Sequence, residues 1–284
     1  DVRRAVLDNH VRETMALGRQ IDAGTVEQPD FVLWPENSAD IDPYVNLEAA
    51  ATISAAANAV GAPIIVGAVV EVPDNPDGVW NLGIVWDPRT GPGERYVKTH
   101  PVPFGEYIPF RTQLEGITSR LDRIPRDFIP GDVPGLLDVS GIVIGDVICF
   151  EVAYDDVIAG IIDGGARIIT VQTNNATYAG TAQPMQQLFI ERMRAIETGR
   201  TVAVAATSGI SAILRPNGSD MSQMGEGEAG SSVETVPLRG QLTLASRLGG
   251  LPSTVATMLA IAALLAGGAA VVRERQTRRI RLPE

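Results

Sequence analysis

Residues 141–149 read Gly141-Ile142-Val143-Ile144-Gly145-Asp146-Val147-Ile148-Cys149, and the chain continues through Phe150 and Glu151 into a helix-like stretch from Ala153 to Ile162. The apolar run is expected to be a buried strand with Cys149 at its end. A side chain at a strand-to-helix turn is held on rigid backbone yet faces a cleft, as a nucleophile requires. The alternative is a small hydrophobe that only fills space, the commoner state of a free cysteine. Cys149 is the only cysteine in the chain, so no internal disulfide can form and cysteine usage does not identify a compartment.

Two segments elsewhere favour the nucleophile. Phe31-Val32-Leu33-Trp34 is a short apolar strand, and Pro35 ends its ladder because proline has no N–H to donate. Glu36 follows just past the strand end, where a solvated loop carboxylate is the ordinary alternative. The second segment runs from Arg95 through Lys98 to Gly105, Glu106 and Pro109. Lys98 ends another strand-like stretch, and a loop stiffened by prolines follows; taken singly, Lys98 reads as a surface lysine. A carboxylate, an ammonium and a thiol at three strand ends form an acyl-transfer set. The carboxylate takes the thiol proton, the lysine favours thiolate and stabilises an oxyanion, and the thiolate attacks a carbonyl carbon.

The order Glu36, Lys98, Cys149 resembles the Glu-Lys-Cys triad of the nitrilase superfamily. Within it, the chain resembles the nitrilase domain of the apolipoprotein N-acyltransferases, with spacing similar to that of actinobacterial members. The matching stretches are WPEN at 34–37, KTHPVPFGEYIP at 98–109, ICFE at 148–151, TNNATYAG at 173–180 and RMRAIETGRTVAVAATSGISAILRPNG at 192–218. The resemblance implies Glu36 as base, Lys98 as oxyanion stabiliser and Cys149 as acyl carrier. It implies supporting roles for Glu106, Glu151 and Asn81. It also implies an α-β-β-α sandwich of two sheets, a nitrilase-like α/β fold. Two departures stand out. Phe150 replaces the tyrosine common after the nucleophile, and Asn175-Ala-Thr-Tyr-Ala-Gly180 replaces a loop that often carries Asp, Trp and Phe. The chain opens at Asp1 inside a helix-like stretch, so it is expected to be a fragment of a longer membrane protein, without the family's N-terminal membrane helices and first strand.

The C-terminus carries a second signal. No charged residue lies between Arg247 and Arg273, and Leu248 to Val272 is rich in Ala, Leu, Val and Gly. That length crosses a hydrocarbon core; a buried core helix is the alternative. Arg273, Arg275, Arg278, Arg279 and Arg281 follow, against Glu274 and Glu284. A basic tail after an apolar span reads as cytoplasmic. The expected organisation is a catalytic domain at 1–247 on the extracytoplasmic face, a transmembrane helix at 248–272 and a basic cytoplasmic tail at 273–284, in the plasma membrane.

Composition bounds the rest. Hydrophobic residues at 45% and charged residues at 20% exclude a disordered chain. The net charge of −11 disfavours a nucleic-acid partner. His10 and His100 lie far apart and no Cys/His cluster has zinc spacing, so neither metal nor cofactor is expected. His10 is expected on a helix surface, and His100 to shape its loop. Helix and strand signals alternate along the chain, as in layered α/β proteins. Gln183–Thr198 is expected to be a helix with Met185, Leu188, Phe189, Met193 and Ile196 at core spacing. Ser232–Val236 is expected to be a strand, Ser219–Gly230 a polar loop, and Phe104–Ile129 a mobile lid.

Three functions fit these features. The first is an N-acyltransferase moving a fatty acyl chain from a phospholipid donor, through a cysteine thioester, to the N-terminal amine of a diacylglyceryl-apolipoprotein acceptor at a membrane. The second is a soluble nitrilase-type amidase or carbamoylase, against which the apolar span argues. The third is a non-catalytic membrane-anchored scaffold, which has no need to keep Glu36, Lys98, Cys149, Glu106 and Glu151 together.

Overall fold

A computed structural model describes residues 2–114 and 124–280. In chain order the elements are α1 (Val2–Asp22), β1 (Val32–Leu33), α2 (Leu47–Val60), β2 (Ile64–Val72), β3 (Asn75–Asp87), β4 (Gly91–Val97), α3 (Arg111–Leu114) and β5 (Asp127–Phe128). Then come β6 (Leu136–Val139), β7 (Ile142–Ile148), a 3-10 turn (Cys149–Ala153), α4 (Asp155–Asp163), β8 (Ile168–Thr173), α5 (Gln183–Thr198), β9 (Val202–Ala206), β10 (Ser211–Leu214), β11 (Asp220–Met224), α6 (Leu244–Leu248) and α7 (Leu251–Ile280). They form two compact units, Asp1–Thr243 and Leu244–Glu284.

The first unit is built on two sheets. One has the order β1-β2-β3-β4 with β5 paired to β3; the other runs β11-β10-β9-β8-β7-β6. In the first, β1 and β2 are parallel, and the β2-β3-β4 meander is antiparallel. In the second, β7, β8 and β9 are parallel and the flanking strands antiparallel. Alternation along β2 shows how the layers form, because successive side chains point to opposite faces. Ile64, Val66 and Ala68 join Leu7 of α1 and Ile53 of α2 in one core, whereas Ile65 joins Val85, Leu137, Ile144 and Ile148 between the sheets. On the outer face of the second sheet, Val157, Ile161 and Leu188 from α4 and α5 cover Val147, Ile169, Val171 and Val204. The result is the expected α-β-β-α sandwich.

Several elements differ from expectation. Of the apolar residues assigned to the core on α5, only Leu188 is buried; Met185, Phe189, Met193 and Ile196 are exposed. The buried face of α5 is instead largely polar, with Gln187, Glu191, Arg194 and Thr198. Ser232–Val236 forms no strand, because this segment pairs with no sheet edge, although Val236 and Leu238 pack on the inter-sheet core. Part of the supposed loop at Ser219–Gly230 is β11, which pairs with β10 across the turn at Pro216–Gly218. His10 is half-buried rather than on the surface; its ring lies 5.8 Å from that of Trp34, and burial pushes its pKa down to about 4. In the stretch read as a lid, Phe104 and Phe110 are exposed while Ile108 is buried. Residues 115–123 of that stretch lie outside the described residues.

The second unit contains α6 and α7. The span Leu251–Val271 has a mean hydropathy of 2.0 and none of it is buried. At a rise of about 1.5 Å per residue it is about 30 Å long, the thickness of a hydrocarbon core. It is long and apolar enough to cross a membrane. The final tail residues, 281–284, lie outside the described residues.

Candidate active site

Glu36 reaches its position because the loop after β1 crosses β2 at a glycine. A Cβ on Gly67 would sit 2.2 Å from the Pro35 carbonyl oxygen, so only glycine admits the crossing. Ala39 N–H then donates to Gly67 O at 2.9 Å, and Val69 N–H to Ala39 O at 3.1 Å. Asn37 adopts a left-handed backbone, φ 55°, and turns the chain after the carboxylate. Glu36 ends up 3% exposed.

Lys98 follows directly on β4 and is 1% exposed. Its Nζ donates to Glu36 Oε1 at 3.1 Å and Glu106 Oε1 at 2.8 Å. Asn81, on β3, donates from Nδ2 to the same two oxygens, at 2.7 and 3.1 Å. Glu106 Oε2 accepts the Val102 N–H at 2.7 Å, and Glu36 Oε2 the Asn174 N–H at 2.8 Å. Each carboxylate is thus fixed at both oxygens. Burial works against the ammonium, but the charges of Glu36, Cys149 and Glu106 outweigh it and hold Lys98 well above an ordinary lysine.

Cys149 begins the 3-10 turn after β7 with a φ of 57°. A non-glycine residue in this region costs roughly 1 kcal/mol, and the surroundings must hold it there. Glu151 does so. Its Oε2 accepts the Ile148 N–H at 3.0 Å, capping the turn from within. Its Oε1 accepts from Thr99 N (2.7 Å), Thr99 Oγ1 (2.9 Å) and His100 N (3.0 Å), and Tyr96 Oη donates to Oε1 at 2.9 Å. One fully buried carboxylate therefore ties the Cys149 turn to the backbone just past Lys98. Glu106, by contrast, binds the lysine ammonium itself. From the far side, Arg194 of α5 donates to Val152 O at 2.8 Å and Ala153 O at 2.9 Å.

The Cys149 thiol is pushed up to about 12, first by burial and then by the Glu36 carboxylate, with Lys98 pulling the other way. At neutral pH Cys149 is therefore a thiol, and a base would have to take its proton before the sulfur could act as a nucleophile. The structure brings together Glu36, Lys98, Cys149, Glu106 and Asn81, with Glu151 behind them. His100 stacks on Tyr154 at 4.3 Å between ring centroids and bonds Thr99 Oγ1 through Nδ1 at 2.9 Å, so it shapes the loop. Sequence reasoning missed Tyr96, Thr173 and Asn174. The signal was present for the last two: β8 lies beside β7 in parallel, so its end must fall next to Cys149. A cavity of about 610 Å³ lined by α1, β1 and β9–β11 lies elsewhere, and none of the three candidate catalytic residues lines it.

Residues 26–241 match the model of the carbon-nitrogen hydrolase family. The chain is 42% identical over 267 residues to the apolipoprotein N-acyltransferase of Mycolicibacterium smegmatis, covering 93% of this chain and 44% of that protein. It is 30% identical over 261 residues to the apolipoprotein N-acyltransferase of Bradyrhizobium diazoefficiens, covering 89% and 47%. The chain thus spans less than half the length of these curated relatives. Among solved structures, a mutant of the Nesterenkonia AN1 amidase from the nitrilase superfamily superposes with a TM-score of 0.58 at 18% identity, over 80% of this chain and 82% of that one. This last likeness is one of fold.

Proposed function

The chain belongs to the carbon-nitrogen hydrolase family, and from that premise we propose that it is the catalytic part of an apolipoprotein N-acyltransferase using Glu36, Lys98 and Cys149. The observation that carries the chemistry is the buried Lys98 ammonium, bonded to Glu36 and Glu106, with Glu36 Oε2 accepting the Asn174 N–H next to Thr173, whose Oγ1 lies 3.4 Å from the Cys149 sulfur. The choice of acyl transfer over amide hydrolysis is supported by the sequence likeness to two apolipoprotein N-acyltransferases and by the apolar span at Leu251–Val271.

In the first half-reaction Glu36 takes the proton from Sγ as the sulfur attacks the ester carbonyl carbon of a phospholipid. The C–O π electrons move to oxygen, and Lys98 stabilises the oxyanion. The oxyanion collapses, the C–O ester bond breaks, and the lysophospholipid alkoxide leaves with the proton from Glu36. The product is a Cys149 thioester. In the second half the N-terminal amine of a diacylglyceryl-cysteine attacks that thioester. Glu36 accepts the amine proton and returns it to the departing thiolate. Asn81, Glu106 and Glu151 hold the three groups in place.

The span would cross the plasma membrane with its arginine-rich end in the cytoplasm and the catalytic domain on the outer face. The test of the chemistry is to incubate membranes holding the full-length protein with labelled phospholipid and examine the Cys149 peptide by mass spectrometry. An acyl mass lost on hydroxylamine treatment supports the reading. Acyl transfer to an apolipoprotein by a Cys149→Ala variant would overturn it.

A further inference from the structure

We propose that the Thr173 hydroxyl is a catalytic hydrogen-bond donor to the Cys149 sulfur, aimed there by Gln187. The inference rests on Cys149 being the nucleophile and adds to the triad a donor that does not depend on Lys98.

The placement follows from the strands. In the parallel pair of β7 and β8, Ile148 stands opposite Gln172, so the next residues, Cys149 and Thr173, leave the sheet side by side. Thr173 is 1% exposed, and its Oγ1 lies 3.4 Å from Sγ. A hydroxyl has one proton to give and lone pairs to receive. Gln187 Nε2 donates to Oγ1 at 3.0 Å, filling one acceptor site. Two acceptors then compete for the hydroxyl proton. One is Gln187 Oε1, also at 3.4 Å, but it already accepts from Asn175 Nδ2 at 3.1 Å. The other is Sγ.

Gln187 cannot easily turn over. Its Nε2 also donates to Glu191 Oε1 at 3.1 Å, and a flipped amide would lose that bond and set its nitrogen against the Asn175 amide nitrogen. Gln187 and Glu191 are both buried, on the same face of α5. As the sulfur loses its proton it becomes the stronger acceptor, and the hydroxyl turns to it. No proton is transferred; the bond lowers the energy of the thiolate. The Lys98 ammonium meanwhile stays bonded to the Glu106 carboxylate and to Glu36, which has taken the thiol proton. The donor acts twice, when thiolate attacks and when thiolate leaves the second tetrahedral intermediate. Thr173 is therefore a catalytic residue, and Gln187 a positioning residue.

The experiment is alkylation of the full-length protein by iodoacetamide from pH 7 to 10. Cys149 is the only cysteine in this chain, and alkylation is read on the Cys149 peptide by mass spectrometry. Thr173→Val, which keeps the shape and removes the donor, should slow alkylation at fixed pH by about tenfold or more, the loss of one hydrogen bond to a charged group. Thr173→Ser should stay within about twofold of the parent, because the hydroxyl returns. Gln187→Leu should slow the parent but add nothing in the Thr173→Val background, since it acts through Thr173. Thr173→Val alkylating at the parent rate, or Gln187→Leu slowing both backgrounds equally, would overturn the proposal. If Thr173→Val fails to fold, Gln187→Leu and Thr173→Ser decide alone: parent-like rates in both would remove the aiming role. Alkylation needs no acyl donor. Slow alkylation in Thr173→Val with no thioester in the parent would sink the acyltransferase reading and leave this one standing.

Discussion

Asp146 Oδ2 lies so close to the backbone of Gly83 that a Cβ on that glycine would sit 2.0 Å from it. The two residues face each other across the gap between the sheets, Gly83 on β3 and Asp146 on β7. Gln172 Oε1, on β8, crowds the same point at 2.7 Å. Both oxygens are buried without a hydrogen-bond partner, while Asp146 Oδ1 accepts the Thr170 hydroxyl at 2.7 Å. Burial, with the Glu151 charge added, pushes Asp146 up to about 7, against the opposing Thr170 bond. A protonated Asp146 would offer a donor at Oδ2, on the same side of Gly83 as Gln172 Oε1, and Gln172 Nε2 donates to Trp34 O at 2.7 Å just before Glu36.

The first prediction follows from the sign of that shift. The folded pKa is raised, so between about pH 4 and 7 the native state binds the proton more tightly than the unfolded chain. The stabilisation is full at the acid end and is lost as pH rises through about 7, with a slope on the order of 1 kcal/mol per pH unit. Asp146→Asn keeps a donor toward Gln172 and cannot ionise. Chemical denaturation of parent and variant across pH 4–8 should show the parent losing stability relative to the variant as pH rises. A constant difference would show that Asp146 is ionised in the native state throughout. Gly83→Ala should be strongly destabilised, since the added methyl would meet two buried side-chain oxygens, Asp146 Oδ2 and Gln172 Oε1.

The second prediction separates two glutamates that look alike in the sequence. Glu151 gathers Ile148 N, Thr99 N, Thr99 Oγ1, His100 N and Tyr96 Oη. A glutamine offers one acceptor oxygen and sets an amide N–H against some of these donors. Glu151→Gln should cost several kcal/mol, at about 1–3 kcal/mol per unsatisfied buried group. Glu106 is 15% exposed on its side chain and holds only Val102 N besides the Lys98 and Asn81 side chains. Glu106→Gln should keep the melting temperature within a few degrees and slow acylation by at least tenfold. Equal melting temperatures for the two variants would show that Glu151 does not hold the turn.

How far the sequence carries the fold is clearest on α5. Apolar residues at 185, 189, 193 and 196 recur with helical spacing, and so do polar residues at 187, 191, 194 and 198. Periodicity arguments give the core to the first set, because burying polar groups costs free energy unless each finds a partner. Here each does: Gln187 with Thr173 and Glu191, Arg194 with Val152 and Ala153, Thr198 with Arg194 O. Of these partners, Thr173 comes from the end of β8 and Val152 and Ala153 from the turn at Cys149, which no local reading of α5 reveals. The strand ends bearing Glu36, Lys98 and Cys149 were legible because a Pro stop, a proline-stiffened loop and a lone cysteine mark them locally. The left-handed backbone of Cys149 was not, since no glycine or asparagine announces it.

The third prediction concerns the protonation state of Cys149. With the thiol near 12, alkylation of Cys149 should keep rising with pH through 9 without a plateau. Lys98→Met removes the one nearby positive charge that favours thiolate and should slow alkylation further at every pH. A plateau near pH 7 in the parent would mean that the ammonium wins over burial and that the resting enzyme holds a thiolate.

The fourth prediction tests the topology. The span Leu251–Val271 is uncharged and unburied, and the arginines at 273, 275, 278, 279 and 281 follow it. Basic residues beside a span stay on the cytoplasmic side, so the tail should be inside and residues 1–243 outside. In a full-length protein from which Cys149 and any further cysteine have been removed, a single cysteine at Ser231 or at Thr277 gives each side a reporter. In intact cells a membrane-impermeant maleimide should label Ser231→Cys, and should label Thr277→Cys only after the membrane is opened. The reverse pattern would place the domain in the cytoplasm, away from any lipoprotein acceptor exposed on the outer face. It would return a cytoplasmic amide hydrolase to first place. Labelling at both positions in intact cells would show that the helix does not span.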